Sequence, residues 1–154
     1  MSDTDTLEDS IIWKKTSDVV ELMYGKLHEF PEEEKWVTSA RLRAEANYLL
    51  LYVAEGLGNS APSGAEYEWG QARKYAFGVK ALYRMAGRQH FIELVPEVMV
   101  ELDEIIGLIE AERANAKKRT EANEKKELDH WLKKYELWKK VDLEKFSKKV
   151  QTNE

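Results

Sequence analysis

The sequence VTSARLRAEANYLLLYVAEGLG, residues 37–58, decides the fold. Apolar residues recur in it at steps of three and four: Leu42, Ala46, Leu49, Leu50, Val53 and Leu57. This period places them on one side of a helix, which other helices must cover, so the stretch predicts a core helix of a helical bundle. Thr38 or Ser39 can cap its start by accepting a backbone N–H. Gly56 and Gly58 supply the backbone freedom to end it.

Helical periodicity also predicts a first helix on the N-terminal side of this stretch. Apolar residues follow helical spacing from residue 12 to residue 30. Asp9 or Ser10 is suited to cap its start. Pro31 cannot donate a backbone hydrogen bond and disfavours the helical region for the residue before it, so we expect the helix to stop at Phe30.

A third helix is predicted over residues 65–87, after a loop over residues 59–64 that is rich in turn-forming residues. Gly87 is expected to end this helix. Gly70 and Gly78 lie in its interior, where each glycine costs about 1 kcal/mol relative to alanine. Their presence predicts close contacts between helices or subunits at these two positions.

A fourth helix is predicted from about residue 93, where an apolar stripe begins: Val95, Val98, Leu102, Ile105, Ile106 and Ile109. Pro96 is compatible with this helix only in its first turn. No bounded run alternates apolar and polar residues, so no strand is expected. We therefore predict an all-α protein, an up-down-up-down four-helix bundle over residues 10–112.

Composition excludes several classes of protein. The 154 residues include no cysteine, which excludes disulfides, thiol catalysis and cysteine-ligated zinc. The N-terminal sequence MSDTDTLEDS is acidic and polar, unlike a signal or transit peptide, and no apolar run is long enough to span a membrane. We expect residues 1–9 to be disordered and the protein to be cytoplasmic, without a membrane partner.

Charge is divided unevenly along the chain. Residues 1–112 carry 11 Lys and Arg against 21 Asp and Glu, whereas residues 113–154 carry 13 against 8. The body is therefore net negative by 10 charges and the C-terminal extension is net positive by 5. Such a split predicts an arm for an acidic partner, or an arm that folds against its own body or a neighbouring subunit.

The extension, residues 113–154, is predicted to be an additional amphipathic helix or a helical continuation of the bundle. Large apolar residues form a seam at steps of three and four: Leu128, Trp131, Tyr135 and Trp138. On another face a basic residue recurs every seven positions: Arg119, Lys126, Lys133 and Lys140.

Two interpretations of the extension remain open. In one, the seam packs on the bundle or self-associates through Trp131, Tyr135 and Trp138, with solvated lysines behind it. In the other, basic residues contact the phosphates of a nucleic acid. The candidate contacts are Lys117, Lys118, Arg119, Lys125, Lys126, Lys133, Lys134, Lys139 and Lys140.

The residues offer little for catalysis or metal binding. Glu127 and His130 have the spacing of one dimetal ligand pair, but bundle dimetal sites need two such pairs and two further glutamates, and no second pair exists. We expect no metal and no other cofactor. Serine and threonine lack a paired base, and no glycine-rich phosphate loop follows a strand. Three tryptophans are expected to be core or interface anchors: Trp13, Trp36 and Trp69.

Arg84 and His90 form an Arg-x5-His arrangement that looks like the short signature of the HEPN ribonucleases. That resemblance implies RNA cleavage at a composite site in a dimer. The structural alternative puts Arg84 and Arg88 in the last turn of a helix, where cations interact favourably with the helix dipole, and His90 in the following loop.

A second resemblance covers residues 10–112. It rests on the order and spacing of Ile11, Ile12, Lys15, Thr16, Asp18, Tyr24, Phe30, Pro31, Arg41, Val53, Ala54, Glu55, Gly56 and Gly58, and on the sequence Glu104-Ile105-Ile106-Gly107. These residues resemble the family that contains the 23S ribosomal-RNA intervening-sequence proteins and the Avd accessory proteins of diversity-generating retroelements.

The resemblance implies an up-down-up-down bundle that assembles into a pentameric ring and is not an enzyme. In the Avd branch, this ring binds a reverse transcriptase and its RNA. Avd-type bundles are usually basic, whereas residues 1–112 are acidic, and the C-terminal extension has no recognised counterpart in the family. The leading hypothesis is therefore an oligomeric RNA-binding adaptor whose extension replaces that basic surface. A protein–protein scaffold and a ribonuclease are the alternatives.

Overall fold

A computed structural model describes the backbone of residues 7–151 and, within this range, all side chains except those of residues 146 and 149–151. This part of the chain is helical and contains no strand, which confirms the predicted all-α class. It has four α-helices: α1 (Ile11–Lys26), α2 (Ala40–Gly58), α3 (Pro62–Arg88) and α4 (Pro96–Gln151). None of the described helices is both long enough and apolar enough to cross a membrane.

Helix α1 starts at one of the two predicted caps. The Ser10 hydroxyl accepts a hydrogen bond from the backbone N–H of Trp13 at 3.4 Å, which occupies one of the free donors of the first turn. The α-helix ends at Lys26, four residues earlier than predicted, and continues as a 3-10 turn over Leu27–Glu29. Phe30 is extended before Pro31, as the proline requires.

The predicted cap of α2 is wrong. A 3-10 turn at Glu32–Glu34 and a π-helical turn at Lys35–Ser39 precede the α-helix, so helical backbone already passes through Thr38 and Ser39. Ser39 has helical dihedral angles and makes no capping hydrogen bond, and the Thr38 hydroxyl donates to the Glu34 carboxylate. Neither side chain therefore marks a helix start.

The predicted roles of two glycines as helix ends are also wrong. Gly56 is buried inside α2, where a Cβ atom would lie 2.7 Å from the Trp69 ring. Gly87 lies inside α3, and a Cβ atom there would collide with the Leu94 side chain. No glycine has a positive φ angle. These two glycines permit close packing, whereas α2 ends at Gly58 with Asn59 as its cap residue.

Helix α3 begins earlier than predicted, at Pro62, so the connection from α2 is only residues 59–61. Proline suits the first turn of a helix because its missing N–H has no helical partner there. The predicted close contact is confirmed at Gly78, where a Cβ atom would collide with the Glu45 carboxylate of α2. At Gly70 a Cβ atom would lie 3.6 Å from the Arg113 side chain, an ordinary contact distance, so no close approach requires glycine there.

All four helices contribute to one apolar core. The predicted faces supply most of it, including Leu49 of α2, Val79 of α3 and Leu102 of α4, each fully buried. Leu57 was predicted to belong to the core, but it is exposed because α2 is near its end there. Leu50 is only partly buried.

Polar contacts join α4 to the other helices. The Lys15 ammonium of α1 lies 2.7 Å from Glu101 and 2.8 Å from Glu104, and hydrogen bonds to these carboxylates raise its pKa. From α3, Arg73 pairs with Glu110 at 2.8 Å. Water screens such surface pairs, so they contribute little and the apolar core dominates the stability.

The described residues divide into two compact units between Lys117 and Lys118, and α4 runs through both. The first unit contains the apolar core. The second is the part of α4 that follows Lys117. Of residues 1–9, for which disorder was predicted, Leu7–Asp9 form a 3-10 turn and residues 1–6 lie outside the described part.

Candidate nucleic-acid interface

The second unit is helical for reasons visible in its sequence. Lysine and glutamate, both strong helix formers, are the commonest residues in its first half. Acidic residues stand four positions before lysines, a spacing that is typical of helical sequences: Glu121 before Lys125, Asp129 before Lys133, and Glu136 before Lys140. Among the described residues, neither Asp129 and Lys133 nor Glu136 and Lys140 are close enough to form an ion pair. This pattern supports a long helix without a large apolar core.

The predicted seam is exposed to solvent. Trp131, Tyr135 and Trp138 are 62%, 60% and 68% exposed, and Leu128 is 59% exposed. Aromatic side chains of this size dominate the energetics of interfaces when they are covered. The seam is therefore an uncovered apolar face in the single chain.

The four basic residues at seven-residue intervals form a second face, here called the basic stripe: Arg119, Lys126, Lys133 and Lys140. All four are exposed. Lys133 and Tyr135 differ by two positions, or about 200° around the helix, so the stripe and the seam lie on opposite sides. With a rise of about 1.5 Å per residue, the stripe extends over about 32 Å. The basic stripe is therefore a row of cations on the side of the helix away from the seam.

Two of the other predicted lysines contact the seam. The Lys134 ammonium lies 5.0 Å from the centre of the Trp131 ring, and the Lys139 ammonium lies 5.2 Å from the centre of the Tyr135 ring. Cation–π contacts at exposed sites contribute about 0.5–1 kcal/mol. These lysines therefore border the aromatic face and do not belong to the basic stripe.

The nine predicted contact residues are not one cluster. All nine are exposed, but Lys117 closes the first unit and the other eight belong to the second. In the described part of the chain, no ion pair joins Lys126, Lys133 or Lys140 to a carboxylate. These ammonium groups are therefore available to an external anion.

His90 has a structural role at the end of α3. Its N–H donates to the Gly87 carbonyl at 3.0 Å, and the Phe91 N–H donates to the Ala86 carbonyl at 2.9 Å. His90 has a φ of 58°, the left-handed conformation that a glycine usually supplies in this helix-ending motif. Arg84 is exposed, and neither a hydrogen bond nor an ion pair links it to His90 in the described part.

The remaining candidates for metal or acid–base chemistry are scattered. Glu127 and His130 are both exposed on the second unit, and His28 is exposed near the end of α1. The described residues contain no group of three or more potential metal ligands.

A groove that was not predicted lies between the end of α1 and the start of α2. It has a volume of about 690 Å³, and one of its lining residues, Trp36, is 84% exposed. Trp36 was predicted to be a core or interface anchor, and it is not a core residue. Trp69 is buried and Trp13 packs against the core. The sequence does carry one signal for this groove. Trp36, Ala40, Arg43 and Asn47 follow each other at steps of four, three and four residues, the spacing of one helix face.

Comparison with known proteins adds no assignment. No protein-family model matches the chain, and no curated protein matches it.

Proposed function

We propose that this chain is a non-catalytic, oligomeric adaptor that binds RNA through the basic stripe of its second unit. In this proposal the first unit is an up-down-up-down bundle, the second unit is a helical extension of it, and assembly gives a ring, five-fold by the family resemblance. The same resemblance suggests a reverse transcriptase as the protein partner.

The observation that carries the proposal is the exposed row of cations along one side of a continuous helix. Arg119, Lys126, Lys133 and Lys140 extend over about 32 Å, long enough to contact several phosphates of one RNA segment. The contacts are to the backbone, so the proposal is binding without base reading. The acidic first unit would direct RNA towards this helix.

Replacing all four residues of the basic stripe with glutamate tests the proposal. Each phosphate contact contributes about −0.7 in single strands and about −0.9 in a duplex to the slope of log K against log salt. We expect the parent chain to bind RNA with a slope that is steeper by about 3 than that of the variant. Titration of labelled structured RNA over a salt series measures both slopes.

A matched control reverses four exposed cations of the first unit: Lys14, Lys74, Arg84 and Arg88. This control should keep the steep slope of the parent. Equal slopes for the parent and the stripe variant would contradict the proposal. RNA cleavage by the pure parent, abolished in His90→Gly, would contradict the non-catalytic assignment, because glycine retains the left-handed backbone at that position.

A protein–protein scaffold is the second candidate, and the exposed seam favours it. Three aromatic side chains that are each at least 60% exposed are the kind of surface that a helical partner covers. In this candidate the basic stripe is a solvated face, and reversing its charges leaves partners unaffected.

A further inference from the structure

The groove between α1 and α2 has a composition unlike the rest of the first unit. Its polar and aromatic lining comes from seven side chains: Tyr24, His28, Lys35, Trp36, Ser39, Arg43 and Asn47. No carboxylate lines it, although residues 1–112 are net negative by 10 charges. An open groove lined by cations on an acidic body favours an anionic ligand.

A π-helical turn holds the aromatic wall of the groove. Lys35–Ser39 form this turn, and it displays Trp36 with 84% of its surface exposed. π-helical turns are rare and occur frequently at functional sites. An exposed indole ring gives a flat apolar surface on which a nucleic-acid base can stack.

Cationic groups lie within the same groove. The Arg43 guanidinium stands 5.5 Å from the centre of the Tyr24 ring, which orients it, and no carboxylate pairs with it among the described residues. His28 is exposed and also lines the groove. The Lys35 ammonium bonds to Glu32, so its charge is already partly compensated. Arg43 is thus the main candidate for a phosphate contact.

Asn47 supplies a polar group that can read a base edge. The Tyr24 hydroxyl donates to the Asn47 amide oxygen, which leaves the two N–H donors of the amide. In the part of the chain that the structure describes, no hydrogen bond uses these donors. The acceptor atoms of a purine or pyrimidine can therefore receive them.

We infer that this groove binds a nucleotide of single-stranded RNA, with the base stacked on Trp36 and a phosphate held by Arg43. The inference rests on the proposed RNA-binding function and gives it a second contact site, on the first unit. A ligand that carries both an anionic group and an aromatic base can contact the Arg43 guanidinium, the Trp36 ring and the Asn47 amide donors at the same time.

The probe is a fluorescein-labelled tetranucleotide of adenosine, rA4, titrated into the full chain at fixed salt and followed by anisotropy. Trp36→Ala removes the stacking surface, and stacking contributes about 1–3 kcal/mol per base, so binding should weaken by about 5- to 150-fold. Arg43→Glu replaces attraction for the phosphate with repulsion and should weaken binding at least about tenfold. Both side chains are exposed, so the variants should fold like the parent, which thermal melting checks.

Matched controls are Tyr67→Ala, which removes an exposed aromatic ring outside the groove, and Arg88→Glu, which reverses an exposed cation outside it; both variants should bind rA4 like the parent. Equal affinities of Trp36→Ala, Arg43→Glu and parent would overturn the inference. So would a parent that binds structured RNA through the basic stripe but not rA4; a protein segment would then be the occupant of the groove.

The variant with glutamate at all four stripe positions separates this site from the proposed function. Retention of rA4 binding in that variant, with loss in Trp36→Ala, would support the groove even if the stripe made no contribution to binding structured RNA. Loss of rA4 binding in the stripe variant, with no effect of Trp36→Ala, would overturn the groove and leave the stripe as the RNA site.

Discussion

Glu68 of α3 is held in a position that disfavours its charge. Its Oε2 atom is buried and has no hydrogen-bond partner among the described residues. Burial raises the pKa of the Glu68 carboxyl, and the neighbouring Glu55 carboxylate raises it further. Because the folded pKa lies above the unfolded value, the stabilising contribution is present below the unfolded pKa and is lost as pH rises through the folded pKa.

Glu68→Gln is therefore expected to raise the free energy of unfolding at pH 7 and to reduce its decline as pH rises above about 4.5, the ordinary value for glutamate. Glutamine has nearly the same shape and removes the charge that burial penalises. Urea denaturation between pH 4 and pH 8 measures both effects.

The control is Glu66→Gln, the same change two positions earlier in α3. A Glu68→Gln variant that is less stable than the parent at pH 7 would show that the carboxylate has a favourable partner.

At the scale of the elements, glycines set how closely α2 and α3 approach. Gly56 of α2 lies against the Trp69 ring of α3, and the space for a Cβ atom is already filled by that ring. Trp69 is 3% exposed and cannot move outward without opening the core. Gly107 of α4, in contrast, has no atom within 4 Å of a Cβ position.

Gly56→Ala is expected to destabilise the fold by about 1–3 kcal/mol, the usual cost of overpacking a well-packed interior. Gly107→Ala should stabilise it by about 0.5–1 kcal/mol, because alanine has the higher helix propensity and meets no neighbour. Thermal melting of the two variants beside the parent measures the contrast. Equal melting temperatures for the two variants would mean that Trp69 moves aside without loss.

For the whole molecule, the proposed association of copies is expected to use the exposed seam of the second unit. Trp131 and Trp138 are 62% and 68% exposed. If they were buried between chains, they would be the kind of aromatic anchor that contributes most of the binding energy of an interface. The basic stripe lies on the opposite side of the helix, so association through the seam leaves these cations accessible to RNA.

Replacing Trp131 and Trp138 together with alanine should raise the dissociation constant of the oligomer by at least about 30-fold, since an interface anchor contributes about 2 kcal/mol or more. Light scattering over a concentration series measures the mass in solution. The matched control replaces Leu137 and Val141, exposed apolar residues away from the seam, and should retain the mass of the parent. If the tryptophan variant had the same mass in solution as the parent, the seam would not be part of the assembly interface.

Local sequence was sufficient for the helical class and most of the core. Leu42, Ala46, Leu49 and Val53 were predicted to share a face, and all four are buried, because helical period depends on residues only three or four positions apart. The predictions that Ser10 caps α1 and that Pro96 lies in the first turn of α4 are also confirmed, because caps and first turns depend on residues that are close in sequence. The basic stripe of the candidate site was likewise predicted from its seven-residue repeat.

Tertiary structure decided the features that depend on a distant neighbour. Gly56 was expected to end a helix, and the Trp69 ring gives it a packing role. Trp36 is exposed on a π-helical turn, which helical periodicity does not predict. The groove needs both α1 and α2. Helical periodicity reports which side of a helix is apolar, whereas contacts between helices depend on how their surfaces fit, which no single stretch encodes.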